Sequence, residues 1–244
     1  MDDCVRIGPS AGEPRQPESQ TKRSANRRAQ ILDGKSALEE LVRRAGWKSL
    51  LGAVASQTVF LHPDTVRQAG KDAMFPVIRG AGRGRIVNLA DGRRAMIDDN
   101  TAPTQAFLWA ADRGKGPDVQ FNHVWQRSSD PDCYTALWNL CCTPAFVAKT
   151  CDTDASITRA MRYRAEQLYG HRPPGDGTVQ KPEGYDELVW APFPPPVRDL
   201  EQLFRARLQS APGSRHAKAA REIGWRFSGG PDVTLAAAAV ALGV

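Results

Sequence analysis

Reactive side chains are densest between Phe121 and Asp154. The stretch opens as Phe121-Asn-His-Val-Trp-Gln-Arg127, continues through Tyr134-Thr-Ala-Leu-Trp-Asn-Leu-Cys141, and passes Thr143-Pro-Ala-Phe-Val-Ala-Lys149. His123 is the first candidate, because a neutral imidazole can take a proton from water near pH 7. Asn122 precedes it and Asn139 follows sixteen residues later, while Arg127 and Lys149 bring positive charge. The first piece has the pattern of a short strand ending at the polar pair Asn122-His123, and the second that of a turn into a helix. Two readings of His123 stay open on the residues alone: a general base, or a structural histidine satisfied by its neighbours.

Over residues 121–149 the chain resembles the HNH, or ββα-metal, endonuclease motif. Asn122-His123 is similar to that family's acid–histidine pair, with asparagine where aspartate is usual. Asn139-Leu140-Cys141 is similar to a shortened form of its Asn-Leu-x-x-x-Cys element, and Lys149 resembles a lysine that follows on the helix. The resemblance implies an α+β fold with a ββα-metal-like centre and an endonuclease acting on DNA with Mg²⁺ or Mn²⁺. His123 would be the base, its other ring nitrogen oriented by a backbone carbonyl, and Asn139 would fix the loop carrying it. Lys149 and Arg127 would face phosphate. The family's final histidine would fall at Ala148, so the metal would need Asp152 or Asp154, or a carboxylate from elsewhere such as Asp98 or Asp99. Asn122 would be a weak ligand, since a neutral amide attracts a dication less than a carboxylate does. Without that histidine, a nucleic-acid-binding protein on a degenerate ββα scaffold is the alternative. A third reading is an interaction protein whose charge serves solubility alone.

Other chemistries find less support. Cys133, Cys141, Cys142 and Cys151 lie within nineteen residues but form no Cys-x-x-Cys pair, so packing thiols are expected rather than zinc ligands. Signatures of serine hydrolases, phosphate-binding loops and dinucleotide-binding folds are missing from the sequence. Asp98-Asp99-Asn100 is either a capping turn or a carboxylate pair for a metal.

The elements that must position these residues are partly visible. Ser36 with Glu39 three residues on has the form of a capping box, opening a helix or helix pair that ends near Ser56 and breaks near Gly46. Phe75–Arg79 is a short strand run. Arg85–Leu89 and Arg94–Ile97 flank Asp91-Gly92, a hairpin signal. Asn100 or Thr101 starts a helix through Trp109, and Val119–Phe121 is a strand. Asp154 or Ser156 starts another helix, stopped by Gly170. Short helices follow over 197–208 and 214–225, with a third in the Ala-rich Val233–Leu242. We therefore expect a basic arm over 1–34, disordered by composition, and an HNH-like α+β domain over 35–170. A proline-rich linker or wrapping arm spans 171–196, and a basic helical region 197–244.

The 244 residues carry a net charge of +6, which favours a polyanionic partner such as DNA. No run approaches the length of a membrane span, and the N-terminus has no apolar signal core, so the expected setting is cytoplasmic with no membrane partner.

Overall fold

The computed structural model of the protein describes residues 33–228. The arm expected over 1–34, apart from its last two residues, and the helix expected over Val233–Leu242 lie outside the described residues.

The first helix, α1 (Gly34–Arg44), is capped by Asp33, whose carboxylate accepts from the N–H groups of Lys35 and Ser36. The cap therefore lies three residues before the expected Ser36. A carboxylate at a helix N-terminus gains from both the free N–H groups and the dipole, which a hydroxyl matches less well. Gly46, at φ +86°, turns the chain into α2 (Leu50–Gln57), capped by Ser49. The two-residue strand β1 (Val59–Phe60) and α3 (Pro63–Ala69) follow.

A small mixed sheet comes next. The strands β2 (Val77–Arg79), β3 (Ile86–Asn88) and β4 (Arg94–Asp98) lie in the order β2-β4-β3. The β3–β4 pair is the expected hairpin, with Gly92 at φ +83°, a conformation that a side chain would strain. β2 runs parallel to β4. Helix α4 (Thr101–Ala110) then leads to β5 (Val119–His123).

The second sheet departs from the expected pattern. Instead of a helix after Tyr134, Leu137–Asn139 makes one 3₁₀ turn and Leu140–Pro144 forms a strand, β6. β6 is central, antiparallel to β5 on one edge and to β1 on the other. Sheet pairing satisfies its backbone on both sides and buries Leu140 and Cys141 completely, which outweighs local helical preference. Helices α5 (Ala145–Ala148), α6 (Thr150–Thr153) and α7 (Ala155–Tyr169) follow directly. β5 and β6 thus form an antiparallel pair joined by a long loop and succeeded by helix.

Segment 171–196 is extended apart from a 3₁₀ turn at Tyr185–Glu187, and it packs back on the body. Trp190 meets Phe60 edge-on at 5.6 Å, the Ala191 N–H donates to the Ala55 carbonyl, and the Val197 N–H donates to Thr65 Oγ1 at 2.9 Å. Helices α8 (Leu200–Ser210) and α9 (Arg215–Glu222) close the described chain. One core unites them with the rest: Phe75 and Trp109 pack on Phe204 of α8 and His216 of α9. Among the described residues no helix is long and apolar enough to cross a membrane.

Candidate functional site

His123 is the last residue of β5, where the chain leaves the sheet for the loop of residues 124–139. Asn139 closes that loop from inside the core, with no exposed surface. Its Oδ1 accepts from the Trp125 N–H at 2.8 Å, and its Nδ2 donates to the Cys133 carbonyl at 2.9 Å. The Val124 N–H also donates to the Asn139 carbonyl at 2.9 Å. One side chain that both donates and accepts, from separate nitrogen and oxygen atoms and without charge, thus holds two points of the loop.

The loop in turn orients His123. His123 Nε2 lies 2.9 Å from the Tyr134 carbonyl oxygen. A carbonyl has no proton to give, so Nε2 is the donor and Nδ1 keeps the lone pair. No group among the described residues bonds to that Nδ1. The imidazole also stacks on the Tyr134 ring, with centroids 5.0 Å apart and planes 12° from parallel. Tyr134 is itself fixed: its hydroxyl accepts from the Asn100 N–H at 2.9 Å and donates to Asn100 Oδ1 at 3.1 Å. Burial pushes the imidazole below its usual value; the Tyr134 carbonyl opposes this, the Arg79 charge adds to it, and the Asp152 charge opposes it. The ring is therefore neutral at pH 7, with one basic nitrogen held in a fixed direction.

The other candidates divide. Asp152, on α6, is brought into this neighbourhood: its charge acts on His123, and Gln126 Nε2 lies 3.4 Å from its carbonyl and 3.5 Å from its Oδ1. Arg127 is at the rim and pairs with Asp176. Lys149 is exposed at the junction of α5 and α6, and its side chain has no ion pair or hydrogen bond among the described residues. Asn122 does not join His123. Successive strand residues face opposite sides, and its Nδ2 donates to Thr143 Oγ1 at 2.8 Å. Asp98 is likewise engaged elsewhere. It is buried at the end of β4, where Oδ2 accepts from the Ala102 N–H of α4 at 2.7 Å and Oδ1 lies 3.7 Å from Arg215. The capping reading of Asp98-Asp99-Asn100 is the one the geometry follows. Asp99 pairs with Arg83, and Asp154 caps α7 while binding Lys35 at 2.6 Å.

Among the described residues no three His, Cys, Asp or Glu side chains gather to hold a metal ion. The cysteines do not supply a thiolate site: burial pushes the thiols of Cys133 and Cys151 up to about 12 and that of Cys142 up to about 11. A closed zinc site takes four such ligands gathered together. Mg²⁺ asks less of a protein, because it retains water and takes one or two carboxylates together with substrate phosphate. Asp152, exposed and without an ion pair among the described residues, suits that open mode.

Sequence reasoning missed several groups around this centre. An open cleft of about 900 Å³ lies beside Asp152 and is lined by Trp125, Thr158, Arg159 and Arg162 on one wall. Residues 155, 158, 159 and 162 share one face of α7, so the helical spacing itself held the signal. Tyr134 carried none, because its role depends on a backbone carbonyl. The chain matches no protein-family model, no characterised protein and no solved structure in comparisons of sequence and fold.

Proposed function

We propose that the chain is a divalent-metal-dependent endonuclease that hydrolyses DNA phosphodiester bonds on an HNH-like ββα scaffold. The observation that supports it most is His123: a neutral imidazole at a strand end, with Nε2 engaged by the Tyr134 carbonyl and Nδ1 left basic. In this reading Nδ1 takes a proton from a water as the water's oxygen attacks phosphorus. The Tyr134 carbonyl keeps its hydrogen bond throughout, so the ring neither rotates nor changes tautomer before it charges. The resulting imidazolium is opposed by burial and supported by the Asp152 carboxylate. Asn139 is a positioning residue, holding the loop that carries Tyr134. When bound, Mg²⁺ or Mn²⁺ on Asp152 supplies positive charge against that developing on the phosphate and leaving oxygens. Arg79, whose charge reaches His123, and Arg127 and Lys149 on the exposed surface are the cations offered to the DNA backbone.

A second reading, binding without cleavage on a degenerate scaffold, is favoured by the engagement of Asn122 with Thr143 and of Asp98 with α4. Supercoiled plasmid incubated with Mg²⁺, Mn²⁺ or EDTA separates the two. Nicking that needs the metal, and that falls in Asp152→Asn, supports the nuclease. Salt-sensitive retardation of the plasmid without nicking replaces it with the binding role.

A further inference from the structure

The cleft beside Asp152 has a chemistry that the proposed reaction centre does not use. One wall is the face of α7 carrying Ala155, Thr158, Arg159 and Arg162, and the other is segment 175–180. Trp125 lines its floor and is only 3% exposed, yet its indole Nε1–H is buried with no hydrogen-bond partner. A buried donor left unpaired costs about 1–3 kcal/mol, so an acceptor from outside the chain would recover that cost. The guanidinium of Arg162 lies over the same indole ring, 5.4 Å from its centroid, and its Nε donates to the Val124 carbonyl at 3.2 Å. This fixes the Arg162 fork while leaving its terminal N–H groups unengaged. Arg159, one helical step away, is exposed and has no acidic partner among the described residues.

The two carboxylates in the cleft do not cancel this character. Asp176 is neutralised by Arg127, and its carbonyl accepts from Arg172 Nε. Asp152 lines the same cleft, and its charge also acts on His123. A neutral donor and two guanidinium groups, with no acceptor of their own, match the oxygens of a phosphodiester.

We infer that this cleft is a phosphate subsite, which holds a phosphodiester of the DNA backbone through the Trp125 indole N–H, Arg159 and Arg162. The inference rests on the nuclease reading for its substrate, but its donors can be tested separately.

The test uses the full chain in EDTA, so that nothing is cleaved, with a fluorescein-labelled 12-mer DNA duplex followed by anisotropy. Trp125→Phe keeps an aromatic ring and removes the N–H. Arg159→Ala alters an exposed residue with no side-chain hydrogen bond or ion pair among the described residues. Each is expected to weaken DNA binding by about tenfold, as loss of one charge-assisted hydrogen bond should. Arg159→Ala should also lower the slope of log affinity against log salt by about 0.9. Arg159→Ala should retain the wild-type melting temperature, and Trp125→Phe should remain folded under the assay conditions. Wild-type affinity in both variants overturns the subsite, while metal-dependent nicking would still stand for His123. If the wild type binds no DNA, the nuclease reading falls and a titration with inorganic phosphate decides the cleft alone. Phosphate binding lost in Trp125→Phe upholds the donors as an anion site, and no phosphate binding overturns it. If Trp125→Phe unfolds, Arg159→Ala alone decides between these outcomes.

Discussion

Replacing Asn139 by alanine removes two hydrogen bonds at once from a side chain with no exposed surface. The Trp125 N–H and the Cys133 carbonyl lose the partners that held them, at 2.8 and 2.9 Å respectively. A buried polar group left unsatisfied costs roughly 1–3 kcal/mol, so the pair should cost about 2–6 kcal/mol. That is a large share of the roughly 5–15 kcal/mol that holds a domain folded. At about 2–4 °C per kcal/mol for a chain of this size, the melting temperature should fall by roughly 4–24 °C. Urea unfolding followed by circular dichroism at pH 7.5, with a thermal scan beside it, measures both quantities. Asn139→Asp is the sharper companion: it keeps the acceptor for Trp125 but turns a second oxygen toward the Cys133 carbonyl. It should be at least as damaging as alanine at neutral pH and recover in part on acidification, when the carboxyl can donate again. A loss below about 1 kcal/mol for Asn139→Ala would refute the clamp, because two buried orphans cannot cost so little unless the loop is held by other means.

Three further outcomes follow from the same reasoning. Tyr134→Phe removes a hydroxyl that is bonded twice to Asn100, so it should cost about 1–2 kcal/mol in urea unfolding. It should leave the His123 ring in place, because the bond to His123 comes from the backbone carbonyl; a shifted His123 imidazole resonance would contradict this. Burial works against ionisation of Asp154, but hydrogen bonds from Lys35, Ser156 and Ile157 hold its carboxyl well below the usual range. Its stabilising share is thus present above the unfolded value of 3.8 and lost as pH falls through the lower folded value. Asp154→Ala should cost about 1–2 kcal/mol at pH 7, measured by unfolding, and Asp154→Asn less, since the amide still caps α7. Burial pushes His216 below its ordinary value of 6.5 against the opposing charge of Asp98, and its Nε2 is buried without a partner. The unfolded chain then takes up a proton near pH 6.5 that the folded chain declines, so stability falls as pH drops from there. His216→Phe should flatten that decline by up to about 1.4 kcal/mol per pH unit, as read from melting temperatures across the acid range.

What was legible in the residues was whatever local chemistry decides. Gly46 and Gly92 marked turns because each takes a positive φ, and Asp154 and Gly170 bounded α7 by capping at both ends. The β6 strand was not legible, because Leu140–Pro144 is a strand only through its pairing with β5 and β1. At the candidate site, His123 and Asn139 stood out by type and spacing, whereas the partners of Asn139, the Trp125 N–H and the Cys133 carbonyl, are backbone groups that residue types do not mark. Asn122 and Asp98 were legible as polar residues, but their hydrogen bonds to Thr143 and Ala102 were not, since those partners are distant or unmarked in sequence. Tyr134 could not be found at all from its side chain, because it acts on His123 through a carbonyl and a ring face.

The most direct measurement compares wild-type protein and His123→Ala on supercoiled plasmid in Mg²⁺ and Mn²⁺, after thermal scans show that both are folded. We expect the wild type to nick in the presence of metal, and His123→Ala to lose nicking while still retarding the plasmid at low salt. Cleavage that survives in His123→Ala would contradict the assignment of His123 as the base.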